Sequence, residues 1–325
     1  MWRSALCRCA IFIGLTLLAG PQPGWSWGCE GHEIIAQIAQ RHLTAQARGA
    51  VRALLGPTPI DPRLRRFCPP IQNDLLAQVS TWADDVRRDE RSPFFGTGSW
   101  HFINLPRGRS SGDGSAHCPG RRGCITSALE QELGVLRDLG AERKRRAEAL
   151  MMVVHLIGDL HQPLHCATNN DAGGNCVPVA YFHTEPRLSG ERADSGVYQP
   201  NLHSIWDTSI IRHIMARRST RSVADLLEKR FGHRIASWED TGVDIRAWAF
   251  ETHAVAERTA YGQLPVPLPI AAPHHSTQCR ERSKQLAALH EYVGGRYAAA
   301  VRPAIEEQLM KAGVRLALVL NQIRN

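Results

Sequence analysis

Residues 147–165 read AEALMMVVHLIGDLHQPLH. Nearly every position from Ala147 to Leu160 is apolar, so a helix here has no polar face to turn toward water and must be buried. Yet it carries His155 and Asp159, four residues apart and therefore on one face. A buried carboxylate has to be paired or bind a cation. Gln162-Pro163 then breaks the helix and turns the chain back between His161 and His165. One His beside one Asp would read as a satisfied core pair. The same pattern recurs, however, in Asn201-Leu202-His203-Ser204-Ile205-Trp206-Asp207, again at i and i+4. Two His-x-x-x-Asp units and a further histidine are the donor set of zinc sites built from imidazole and carboxylate, and a metal site is expected.

Outward from this stretch, apolar periodicity predicts helices over 33–55, 73–88, 126–139, 141–159, 202–216, 223–231, 240–261, 283–300 and 304–321. The segment 92–123 is rich in Gly, Pro, Ser and Arg and reads as an irregular excursion. Residues 177–199 read as a loop or short hairpin, and Pro265, Pro267, Pro269 and Pro273 mark a loop before the last helices. No internal repeat and no strand ladder stand out. A single mainly α domain over 27–325 is expected, although the length would permit two. The run Arg143-Lys144-Arg145-Arg146 reads as a solvated first turn of a helix.

The chain has 325 residues, 43% hydrophobic and 22% charged, which excludes disordered, collagen-like and coiled-coil classes. Its sustained apolar run, 10–20, is short for a membrane span. Arg3 and Arg8 precede it and Pro21, Pro23 and Gly24 follow, the pattern of a secretory signal peptide over 1–26, with cleavage after Ser26 and a mature chain starting at Trp27. An uncleaved anchor is the other reading. The net charge of +8 is compatible with a polyanionic substrate, or with solubility alone. Cys7 and Cys9 leave with the signal. Cys29, Cys68, Cys118, Cys124, Cys166, Cys176 and Cys279 remain, an odd set in which Cys118 and Cys124 flank a turn short enough to bridge. The absence of Cys-x-x-Cys argues against a thiolate zinc site.

Trp82-Ala83-Asp84-Asp85 sets carboxylates beside an aromatic ring, Trp100-His101-Phe102-Ile103-Asn104 sets a histidine between two rings, and Trp27-Gly28-Cys29-Glu30-Gly31-His32 stands at the expected new N-terminus. Together with His155-Leu-Ile-Gly-Asp159-Leu-His-Gln-Pro-Leu-His165 and Asp171-Ala-Gly173-Gly174-Asn175, in this order and spacing, the chain resembles the class I zinc-dependent nucleases, the S1/P1 type that comprises single-strand-specific nucleases and 3′-nucleotidases. The resemblance covers the chain from Trp27 to at least Asp207.

That resemblance implies a mainly α fold, shared with zinc-dependent phospholipases C, and three zinc ions at the bottom of a cleft. One would be held by Asp84, His101 and His155, with Asp159 bridging to a second held by His32 and the α-amino nitrogen and carbonyl oxygen of Trp27. The third would take His165, His203 and Asp207. Asp85 is the alternative to Asp84, but the family's ligand directly follows Trp-Ala. Asp84 would orient or deprotonate the attacking water, and Arg87 would face the scissile phosphate. Phe102 would stack a nucleobase and Asn104 would contact its edge; the fungal enzymes carry an aspartate where Asn104 stands, which puts base preference in doubt. Ser209 also departs from at least one fungal member, which has an asparagine there. His161 is expected to support the ligands from behind.

The implied activity is hydrolysis of single-stranded DNA and RNA to 5′-phosphate products, with 3′-nucleotides as further substrates. The implied enzyme is a monomer, secreted or periplasmic, with no stable membrane association after signal removal. A zinc-dependent phospholipase C is the second reading; those lipases close their ligand set with glutamate and have a longer interval after the first tryptophan. An exported zinc-binding protein without catalysis is a third.

Overall fold

The computed structural model describes residues 27–323 apart from 65, 70, 72–73, 110–116, 119–122, 189–194, 272–278 and 290; the expected signal peptide lies outside the described residues. The helices are α1 Cys29–His42, α2 Ala45–Leu55, α3 Leu75–Val79, α4 Trp82–Val86, α5 Ile125–Arg137, α6 Arg143–Leu160, α7 Leu202–Ser204, α8 Ile210–Met215, α9 Thr220–Phe231, α10 Ile235–Glu239, α11 Ile245–Val255, α12 Cys279–Ala287 and α13 Gly295–Leu320. The mainly α class is as the sequence predicts. No described helix is long and apolar enough to cross a membrane.

The helix of the opening sequence, α6, is the centre of the molecule. From Ala149 to Leu160 all of its residues are buried, and it touches α1, α2, α3, α4, α5, α11 and α13. Its basic N-terminus is only partly solvated: Arg145 pairs with the buried Glu132 of α5 at 2.7 Å, and Arg146 donates to the carbonyl of Leu136. On the far side α1 packs along α13 and α9. Gly158 sets the approach of α1 to α6, because a Cβ there would lie 2.8 Å from Nδ1 of His32.

Several boundaries differ from the periodicity, each for a local reason. The predicted helix 33–55 is two, because Leu43 is extended and the Thr44 hydroxyl accepts from the Ala47 amide to cap a new start. The predicted helix 73–88 breaks after Val79 into α3 and α4. The one over 240–261 starts instead at Ile245, where Asp244 caps it, and runs on through a π turn, Ala256–Tyr261. The last two predicted helices are really α12, a short strand and the 26-residue α13, which passes through Pro303.

Strands exist although no ladder was legible. They are β1 Val179–Tyr181, β2 Arg187–Leu188, β3 Tyr198–Gln199 and β4 Glu291–Val293. The antiparallel pair β2–β3 makes the 177–199 region a short hairpin. β1 pairs in parallel with β4, more than a hundred residues away. Disulfides join Cys29 to Cys68, Cys118 to Cys124 and Cys176 to Cys279, and Cys166 is a buried free thiol.

Candidate metal centre

The break between α3 and α4 is where the site begins. In a continuous helix the Ser80 carbonyl would accept from the Asp84 amide. Here the Asp84 amide bonds the Thr81 carbonyl instead, and the Ser80 carbonyl takes Nδ1 of His155 at 2.7 Å. With Nδ1 engaged there, Nε2 is the nitrogen turned into the site, where it faces Asp159 Oδ2 and His101 Nδ1, each at 3.0 Å.

Asp159 is the hub. Its Oδ2 lies 2.9 Å from His101 Nδ1, and its Oδ1 lies 3.3 Å from Nε2 of His32, whose ring stacks on His155 with centroids 4.1 Å apart. Asp84 approaches from α4, with Oδ2 3.9 Å from His155 Nε2 and Oδ1 3.8 Å from His101 Nδ1. Arg87, three residues on, pairs with Asp84 Oδ1 at 2.7 Å. Asp85 points away and accepts from the Phe67 amide at 2.6 Å.

The third group forms where Pro163 turns the chain into a 3₁₀ turn, Pro163–His165. His165 donates through Nδ1 to the His101 carbonyl at 2.7 Å, so residue 101 serves the first group with its ring and the third with its backbone. His203 donates through Nδ1 to the Gly173 carbonyl at 2.7 Å, stacks on His165, and sets Nε2 3.3 Å from Asp207 Oδ2. Asp207 lies in a π-helical turn, Ile205–Ser209, between α7 and α8. The loop supplying the Gly173 carbonyl is tied by the buried Asp171, which accepts from the amides of Asn169 and Gly174 and from the Tyr261 hydroxyl. Gly173 needs to be glycine: its φ is +62° and a Cβ would meet the Leu164 carbonyl at 2.4 Å.

Three groups therefore converge: His32, His155 and Asp159; Asp84, His101 and His155; His165, His203 and Asp207, all buried and each able to hold a metal ion. The donor chemistry fits a cation. Asp159 Oδ1 and His165 Nε2 are buried with no hydrogen bond among the described residues, a cost that a metal ion would remove. Three of the imidazoles donate Nδ1–H to a backbone carbonyl, the outer support that metal-ligating histidines show. The field has the matching sign. Burial would suppress an imidazolium at His155, but Asp159 and Asp84 outweigh it and raise that group to about 9. Burial would likewise raise the Asp84 carboxyl, yet the charges of Arg87, His155 and His101 hold it below the usual range.

The other residues singled out by sequence fall as follows. Trp27 is fully buried against the first turn of α1, and the next amide, Gly28, donates to the Asp207 carbonyl at 2.7 Å. Burial alternates over 101–105, so Phe102 and Asn104 share a half-exposed face while His101, Ile103 and Leu105 point inward. His161 does not reach the ligands: Nδ1 bonds the Ile157 carbonyl and Nε2 meets Arg315 at 3.1 Å, beside Trp248. Sequence reasoning gave no role to Ser80, Gly158, Gln162 or Gly173. The last three stand inside the quoted motifs, which was their signal; Ser80 had none.

The fold is mainly α and closes three His/Asp groups, each able to hold a metal ion, around its central helix. The S1/P1 Nuclease family model matches residues 27–325. The chain is 30% identical to Nuclease S1 of Aspergillus oryzae, over 96% of each chain. It is 27% identical to Nuclease P1 of Penicillium citrinum, over 91% of this chain and 97% of that one, and 26% identical to Endonuclease 3 of Arabidopsis thaliana, over 91% and 88%. The chain belongs to the S1/P1 nuclease family.

Proposed function

We propose that this protein is an exported, zinc-dependent nuclease that hydrolyses single-stranded DNA and RNA to 5′-phosphate products and removes phosphate from 3′-nucleotides. The observation that carries this reading is the convergence of the three buried His/Asp groups on α6, in a chain of this family. Asp84, His101 and His155 would hold one zinc, Asp159 with His32 and the freed Trp27 backbone a second, and His165, His203 and Asp207 a third. A zinc ion held there would supply water with a pKa lowered from about 15.7 to about 7 and positive charge for the departing 3′-oxygen.

The protein's own groups do the rest. Asp84, kept ionised, accepts a hydrogen bond from the attacking water and aims it at phosphorus. Arg87 holds Asp84 in place and presents its guanidinium to the phosphate oxygens, which a planar fork of donors matches. The water oxygen bonds to phosphorus and gives its proton to Asp84 as the P–O3′ bond breaks, and the departing oxygen takes a proton from solvent, leaving a 3′-hydroxyl and a 5′-phosphate. Phe102 stacks a base and Asn104, with both a donor and an acceptor, contacts its edge. Export after removal of 1–26 is supported by the three disulfides, which need an oxidising compartment.

The test is purified protein beginning at Trp27, its metals counted, offered single-stranded DNA, duplex DNA, RNA, a 3′-mononucleotide and a lecithin side by side. Three zincs per chain and cleavage of the single strands are expected. Release of phosphocholine without cleavage of nucleic acid would replace this reading with the lipase.

A further inference from the structure

The turn that joins the two halves of the metal centre contains a side chain with no role so far. Gln162 is fully buried. Its amide donates to the Asp159 carbonyl at 2.9 Å, and its carbonyl accepts from the His165 amide at 2.9 Å. Its side chain spans outward from there: Oε1 accepts from the Leu164 amide and Nε2 donates to Asp207 Oδ1, both at 2.5 Å.

The first of these bonds decides the second. A carboxamide can be flipped without changing its shape, so its orientation must come from its partners. The Leu164 N–H can only donate, and it therefore demands Oε1. Nε2 is then forced toward Asp207, where it faces an oxygen that can only accept. The remaining oxygen of Asp207, Oδ2, is the one beside His203 Nε2.

We infer that Gln162 is a positioning residue for the third metal ion. It takes up Oδ1 of Asp207, presents Oδ2 as the single ligand oxygen, and locks that carboxylate to the turn that carries Asp159 and His165. The inference rests on the proposed three-metal reading, but it concerns one site of the three. Loss of such an outer hydrogen bond weakens metal binding by about tenfold to a hundredfold.

Two variants test it. Gln162→Glu keeps the size but, when ionised, sets an acceptor against an acceptor; Gln162→Leu removes the bond outright. The readouts are zinc per chain after dialysis against a graded chelator, and thermal unfolding of the metal-stripped proteins, which separates a folding defect from a binding defect. Both variants should release one zinc at ~10- to 100-fold lower chelator strength than wild type and keep the other two. Wild-type-like retention of all three zincs by a folded Gln162→Glu protein would overturn the inference, as would simultaneous loss of all three. A wild type that holds fewer than three zincs would instead sink the three-metal reading.

Discussion

At the scale of single residues the centre is organised by atoms that serve two partners. Asp159 reaches His32 through one oxygen and both His101 and His155 through the other. Asp159→Asn therefore costs two groups their shared charge, and more than the roughly 10–100-fold that loss of an outer-shell partner costs. We expect turnover to fall by at least about a hundredfold, with two of three zincs lost and the third retained. Metal analysis beside steady-state rates checks this, and full zinc occupancy with normal turnover would show that another residue bridges. Gly173 is the second such point, since its carbonyl holds His203 while its own conformation excludes a side chain. Gly173→Ala should cost about 1–3 kcal/mol of stability through backbone strain, and the third zinc should bind more weakly. Thermal melts with and without zinc would separate the two effects; an unchanged melt would mean that the loop relaxes freely.

At the scale of elements, short interruptions do more for the site than the long helices do. The α3–α4 break frees the Ser80 carbonyl, and the π turn carries Asp207; π turns frequently mark functional positions in helices. The parallel pairing of β1 with β4 has a different consequence. It buries Glu291, and burial pushes that carboxyl up from 4.5 to about 7. A group whose folded pKa is raised ionises more easily in the unfolded chain. The contribution of Glu291 to stability is therefore most favourable below about pH 4.5 and is lost as pH rises toward and through 7. Gln in its place never ionises, so Glu291→Gln should unfold like wild type near pH 4.5 and gain on the order of 2 kcal/mol over it at pH 8. Urea midpoints at the two pH values measure the difference, and an equal gain at both would exclude ionisation as its cause.

At the scale of the whole molecule, the half-exposed face of Phe102 and Asn104 lies directly beside His101, a proposed metal ligand. A base stacked on Phe102 has to leave its neighbours, which costs a few kcal/mol in a duplex. Single-stranded substrates should accordingly be cleaved faster than duplex at equal salt, and Phe102→Ala should raise KM more than it lowers kcat. Equal rates on native and denatured DNA would refute this picture. Trp27 is the other whole-molecule feature, because it sits where α1 and the Asp207 turn meet. While residues 1–26 remain attached, the Trp27 nitrogen is an amide and a poor zinc ligand. If residues 1–26 are removed as proposed, it becomes an amine with a pKa of about 7.7–8.0, for which zinc would compete readily. Protein starting at Trp27 should bind one zinc more tightly, and turn over far faster, than protein with one or two residues added ahead of it. Identical zinc content and rate in both forms would leave Trp27 a packing residue.

What the sequence determined alone was everything that depends on neighbours along the chain. The burial of α6 follows from its unbroken apolar composition, and the pairing of His155 with Asp159 and of His203 with Asp207 follows from i,i+4 spacing. The segments that contribute donors could likewise be read in order, as could the mainly α class. What tertiary structure decided was how those segments face one another. Asp84 rather than Asp85 turns inward because the Phe67 amide claims Asp85. His161, inside the most specific motif, faces Arg315 and Trp248 because the turn rotates it away from its neighbours Asp159 and His165. The supports of the site join residues 75, 64 and 45 positions apart: His155 to Ser80, His165 to His101, Gln162 to Asp207. Periodicity reports only which side of an element is apolar. Which carbonyl meets which imidazole is set by how helices separated in sequence pack together, and that packing exists only in the folded chain.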